Sequence, residues 1–258
     1  MNTKNKQKEY DIIQAERHYP VVKHNNLIQQ SRYKLTAQEQ KVLFYLITKI
    51  KPEDTDFKEY EFNINRFCEV CGIDKNNGRN FEMLKKTIMD LINKSFWVNI
   101  NGEYVSMNWI EKAKISQKKG TIKIRLDNDM KSYLLDLQKH FTSYNLYYIL
   151  TMKSKYSIRL YELLKSYEYL GGYTFEIEEL KKILDAEKYT TYKDFRVNVL
   201  DIALLEINNF SDINATYIAE KNGKKYETIT FSISLKMNTI ERAQTWRKIE
   251  ERLNGDKN

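Results

Sequence analysis

Two cysteines and three histidines are all the thiol and imidazole ligands that this 258-residue chain has for zinc. Cys68 and Cys71 form a lone CEVC. Neither a second CxxC nor a paired histidine follows to complete the four ligands of a tetrahedral zinc site. His18, His24 and His140 are scattered, so both thiols are expected to be reduced core residues of a short helix. No apolar run of about 18 residues is present, and the N-terminus lacks a signal-peptide pattern. The chain is therefore expected to be soluble and cytoplasmic, with no membrane partner. The absence of GxxxxGK[ST] removes the phosphate-cradling loop of an ATP-driven helicase. Without a His-hydrophobe-His triplet, metal-assisted nicking of DNA by a tyrosine has no site. Nineteen tyrosines are on offer, but none has a visible activating group. Asp127/Asp129 and Asp185/Glu187 fit helix caps and surface charge. No catalytic residue, metal or cofactor is assigned, and the chain is not expected to be an enzyme.

What the chain does carry is positive charge and material for a core. Lys and Arg number 43 against 35 Asp and Glu, a net charge of +8, and 41% of residues are hydrophobic. Residues 1–34 hold seven Lys/Arg and three Asp/Glu, so half of that excess sits in an N-terminal arm. A basic protein favours polyanions, of which nucleic acid is the commonest in a cell. The length allows one or two domains, at about 150 residues each.

An internal repeat decides between them. Residues 60–67 are YEFNINRF and residues 173–180 are YTFEIEEL, the same aromatic-x-Phe-x-Ile-x-x-apolar pattern at an offset of 113. After each comes a short helix, a polar loop and a long helix, NFEMLKKTIMDLINKSF from Asn80 and DFRVNVLDIALLEINNF from Asp194. Phe81, Ile88 and Leu91 align with Phe195, Ile202 and Leu205 at an offset of 114, as a duplication would leave them. Alternating, β-branched stretches follow in both copies and predict strands. In the second copy Asn222-Gly223 sits between two such runs, and Asn-Gly favours a tight hairpin because both residues tolerate positive φ. A long amphipathic helix precedes each copy, with Thr36 (Glu39 three residues on) and Ser154 as N-caps.

Helix, short strand, helix, turn, helix and hairpin is the winged-helix order, so the chain is expected to be α+β with two tandem winged-helix domains. Gly72 marks the turn in the first copy. The second helix of such a pair presents its N-terminal residues to base edges in the major groove. In the second copy Phe195, Ile202 and Leu205 are expected to face the core, while Lys188, Tyr189, Thr191, Tyr192, Lys193 and Arg196 protrude. Arginine can bridge guanine O6 and N7, whereas lysines and hydroxyls also suit phosphates. Lys221, Lys224 and Lys225 at the hairpin tip are placed to reach a phosphate backbone. In the first copy Arg79, Asn80, Lys85 and Lys86 suit phosphates. The surrounding Trp97, Val98 and Trp109 belong in a core more than at an interface, although an edge strand there could pair with a second subunit.

Taken along its length, the chain resembles the replication initiators of iteron-containing, theta-replicating plasmids. The stretch VVKHNNLIQQSRYKLTAQEQKVLFYLITKI is similar to that family's opening signature, through Val21, Val22, Asn25 or Asn26, Leu27, Ile28, Leu35, Thr36 and Glu39. FTSYNLYYILTMKSKYSIRLYELLKSY resembles its inter-domain region, and YKDFRVNVLDIALLEIN its C-terminal recognition helix. The likeness covers about residues 18–236. It implies two winged-helix domains that bind directly repeated origin DNA as a monomer, and a dimer that represses the protein's own gene at an inverted repeat. It also implies help in opening an AT-rich segment and recruitment of the host initiator and replicative helicase. Residues 1–140 would form the arm and first domain, for dimerisation and auxiliary DNA contacts. Residues 141–258 would form the main recognition domain and a C-terminal helix. Lys193 and Arg196 stand where the resemblance puts base contact, with Tyr192 and Thr191 nearby. Two other readings share the fold: a dedicated winged-helix repressor without a replication role, and a protein-interaction module.

Overall fold

In the computed structural model, residues 3–71, 80–100, 102–135 and 137–255 are described. Helix α1 (Thr3–Arg17) leads into strand β1 (Pro20–His24), α2 (Asn25–Gln30) and the two-residue β2 (Ser31–Arg32). Next comes α3 (Ala37–Ile47). The Thr36 hydroxyl accepts the Glu39 N–H at 3.2 Å, and the Glu39 carboxylate accepts the Thr36 N–H at 2.7 Å. This capping box contributes about 0.5–2 kcal/mol over an alanine cap and fixes the helix start. Lys94 donates to the same carboxylate at 2.6 Å.

The first winged helix continues with β3 (Tyr60–Asn63), α4 (Ile64–Val70) and α5 (Asn80–Ile92). The expected turn at Gly72 lies outside the described residues. Four strands follow: β4 (Ser95–Ile100), β5 (Glu103–Asn108), β6 (Ile110–Ser116) and β7 (Thr121–Leu126). β3 pairs antiparallel with β7, and β7 with β6, which makes the winged-helix sheet. The β4–β5 hairpin is an addition to that pattern and pairs instead with β2. Trp109, between β5 and β6, and Val98 are buried, as expected of core residues, whereas Trp97 is exposed. Cys68 and Cys71 are free and buried, and burial pushes the Cys71 thiol up to about 12. Neither thiol is set up as a nucleophile.

Helix α6 (Lys131–Leu134), β8 (Phe141–Asn145) and α7 (Leu146–Leu150) link the two copies, and α8 (Lys155–Ser166) opens the second. Ser154 caps α8, its hydroxyl accepting the Tyr156 N–H at 3.2 Å. Strand β9 (Gly172–Glu176), α9 (Ile177–Ile183), α10 (Tyr192–Phe195), α11 (Asp201–Phe210), β10 (Ile213–Asn222) and β11 (Lys225–Leu235) complete the unit, with sheet order β10-β11-β9. The same helix–strand–helix–helix–hairpin order thus occurs twice.

A seam of buried polar groups joins the copies. β1 pairs with β8 over five residues, and α8 packs on α2 and α3. Arg159 on α8 donates to the carbonyls of Ile28 (2.7 Å) and Ser31 (3.1 Å) and lies over the Tyr33 ring. Beside it, the fully buried Glu162 pairs with Lys23 and accepts from Tyr33 (3.2 Å) and Tyr144. Burial pushes the Lys23 ammonium down to about 8, with the Glu162 carboxylate opposing that shift. Finally α12 (Thr239–Gly255) lays Thr245, Ile249 and Leu253 into the core. Its Arg252 meets Glu206 of α11 at 3.3 Å, and its Glu250 accepts from Tyr147 of α7 at 2.8 Å.

Two local expectations need correction. Asn222 does not adopt positive φ. It pairs with Lys225 as the last residue of β10, leaving Gly223 and Lys224 as the loop, with Gly223 at φ +64°. Glycine alone therefore carries the tight reversal. Ile202 and Leu205 do not face the core either, being 42% and 65% exposed. The cause is a π-helical turn over Arg196–Leu200, between α10 and α11. One added residue in a turn rotates everything after it by about 100°. Val199, Leu200, Ala203, Leu204 and Ile207 face inward in place of Ile202 and Leu205.

Candidate nucleic-acid interface

The start of α10 is set by Thr191. Its hydroxyl accepts the Asp194 N–H at 3.1 Å and donates to the Asp194 carboxylate at 2.7 Å. Thr191 is exposed, as expected, with its hydroxyl engaged in the cap. Before it, α9 is closed by Asp185, whose φ of +52° turns the chain and whose carboxylate meets Lys155 at 2.5 Å. Tyr189 is half-buried edge-on against Tyr156 at 6.2 Å, with the Lys188 ammonium 5.0 Å above its ring. Lys188 and Lys193 are exposed.

Arg196 opens the π turn with about half its side chain in solvent, its Nε 3.8 Å from the Asp201 carboxylate. That ion pair is loose and hydrated, so its contribution is about 0–1 kcal/mol and a stronger bidentate partner can displace it. The Tyr217 hydroxyl of β10 donates to the other Asp201 oxygen at 3.3 Å. Asp201 thus links the helix to the wing. Tyr192 makes a second link by stacking on Tyr226 of β11. Burial raises the Tyr192 phenol above its ordinary range, keeping it neutral.

At the wing tip Lys221, Lys224 and Lys225 are all exposed. Lys221 sits 4.7 Å over the Tyr226 ring, and Lys225 is 3.7 Å from Glu178 of α9. Helix start and wing tip therefore converge on Tyr226 from two sides. The first copy offers less. Lys85 and Lys86 are exposed on α5, Lys85 with Glu82 at 3.8 Å. Asn80 is buried at the start of α5, which corrects its expected place among surface phosphate ligands: the first turn packs inward there. Arg79 lies outside the described residues.

Three exposed residues of this surface escape a reading of the sequence: Val197, Asn198 and Asp201. The Asn198 amide donates to the Asp194 carbonyl at 2.9 Å. For two of them the signal was the four-residue spacing Lys193, Val197, Asp201, which sets side chains along one helix face. Among the described residues no His/Cys/Asp/Glu cluster could hold a metal, and no helix is long and apolar enough to cross a membrane.

Comparison with known proteins agrees with the fold. Residues 20–165 match the family described as "Initiator Replication protein, WH1", and residues 176–233 match "Initiator Rep protein, WH2". A "Replication initiation protein" of Escherichia coli is 26% identical over 219 residues, covering 80% of this chain and 66% of that protein. The chain thus spans about two thirds of that relative's length. An "Uncharacterized 27.6 kDa protein" of Escherichia coli is 20% identical over 235 residues, covering 85% of this chain and 96% of that protein. Among solved structures, "Crystal structure of Pi initiator protein in complex with iteron DNA" superposes with a TM-score of 0.72 at 18% identity, over 86% of this chain and 99% of that one. With both winged-helix segments matched in order, the chain belongs to the plasmid replication initiator family.

Proposed function

We propose that this chain initiates plasmid replication by binding directly repeated origin DNA in a sequence-specific manner. The observation that carries the reading is the joined helix and wing of the second copy. Lys193 on α10 and Arg196 at the start of the following π turn are exposed, and three lysines lie at the tip of a hairpin stacked against Tyr192. Such a surface can place donors on base edges while cations hold the backbone beside them. Residues 141–258 form the main reader in this proposal. Residues 1–140 add phosphate contacts through Lys85 and Lys86 and provide the dimer contact, for which β5 is an unpaired edge. The monomer on repeated sites helps to open the origin and recruits the host initiator and replicative helicase, and the dimer represses the protein's own gene. The resemblance to an initiator solved on iteron DNA supports this reading.

Selection of bound sequences from a random duplex pool tests it. A long asymmetric site of about two helical turns is the expected result. A short palindrome alone would point to a dedicated repressor, and no enrichment to a protein-interaction module.

A further inference from the structure

We infer that Val197 reads a thymine methyl group in the major groove, a specificity role that rests on the DNA reading proposed above. Val197 is 45% exposed and belongs neither to the hydrophobic core nor to the residues packed on it. It follows Arg196 directly and stands one turn beyond Lys193 on the outer face of the helix. A single exposed aliphatic is ordinary on a protein surface. Here, however, it stands directly after Arg196 and one turn beyond Lys193, beside the two cations best placed to meet base edges, and the wing lysines flank the same surface. The charge around it suits a polyanion rather than an apolar protein partner. Within the major groove the apolar group on offer is the C5 methyl of thymine.

The other exposed aliphatics of this face fit the role less well. Leu205 lies eight residues on, about 12 Å further along the axis, in the middle of α11 and away from the turns that enter a groove. Ile202 falls between, past the Asp201 carboxylate that engages Arg196 and Tyr217. Val197 also stands at the π turn, so its direction is set by that local winding rather than by the helix as a whole.

The test uses the full-length chain and the duplex recovered by selection, with each thymine replaced in turn by deoxyuridine, which lacks only the methyl. Wild-type protein should bind about 3- to 10-fold more weakly when one or two particular thymines are replaced. The Val197→Ala variant should lose a similar factor on the thymine site and show no further loss on the deoxyuridine site. Its melting temperature should stay close to wild type, since the side chain is not part of the hydrophobic core. Sensitivity at no thymine, or a variant that still pays the full deoxyuridine penalty, overturns the assignment. A wild-type protein that prefers no sequence overturns the DNA reading beneath it.

Discussion

Tyr192 lies flat on Tyr226, with ring centroids 3.9 Å apart and 25° between the planes. One residue opens α10 and the other belongs to the wing strand β11, so the stack holds as one body the two elements proposed to face DNA. An aromatic pair of this kind contributes about 0.5–1.5 kcal/mol beyond its buried area. Tyr226→Ala should therefore weaken binding to the preferred site more than to unrelated duplex, while Tyr226→Phe stays near wild type. Fluorescence anisotropy with both duplexes measures the difference. Equal losses on the two would mean that the stack does not align the helix.

Arg196 has only a loose carboxylate partner and half its surface in water. Arg196→Ala should cost about 1–3 kcal/mol of specific binding and relax preference at one guanine. Repeating the pool selection with the variant shows it. Weaker binding with the preference intact would make Arg196 a phosphate contact.

The wing lysines carry a different signature. Each phosphate neutralised adds about 0.9 to the slope of log K against log salt. Replacing Lys221, Lys224 and Lys225 with alanine should lower that slope by up to about 2.7 and leave the sequence preference unchanged. An unaltered slope would place the tip away from the backbone.

Much of the fold was legible in the residues, and the part that was not has a physical cause. The Thr36/Glu39 capping box, the Ser154 cap and the strand–helix order of both copies are local patterns, and each formed as its residues predict. Pairing is not local: the strand character of residues 95–126 was visible, but the partnership of β4 with β2 depends on contacts some 65 positions apart. The π turn was invisible, because nothing in RVNVL distinguishes i→i+5 hydrogen bonding from the i→i+4 pattern of an α-helix. That single added residue turned Ile202 and Leu205 outward and put Ala203, Leu204 and Ile207 into the core in their place. The Asn222–Gly223 turn was located correctly within one residue, with glycine alone taking the left-handed conformation.

Gly172 opens β9 against β11, where a Cβ would collide with the Phe231 carbonyl. Backbone cannot yield as a flexible side chain does, so Gly172→Ala should destabilise the second unit by about 1–3 kcal/mol, the range for overpacking a tight site. Denaturant unfolding reads this, and a neutral result would mean that the β9–β11 register shifts freely.

Glu162 holds the seam between the copies, with Lys23, Tyr33 and Tyr144 all directed at its carboxylate. Glu162→Gln leaves the Lys23 ammonium buried without its counter-charge, at a cost of about 3–5 kcal/mol. Adding Lys23→Met should restore part of the loss, as seen by equilibrium unfolding. A double variant less stable than Glu162→Gln alone would show that the charge pair is not the source.

The central claim is that both winged helices of one chain engage the same duplex, with the second doing the reading. Hydroxyl-radical and guanine-methylation footprints of the full-length protein on its selected site test it most directly. The account predicts two protected segments about 10–10.5 base pairs apart on one face of the helix, with methylation interference concentrated under α10. A single protected segment, or interference only under the first unit, would contradict it.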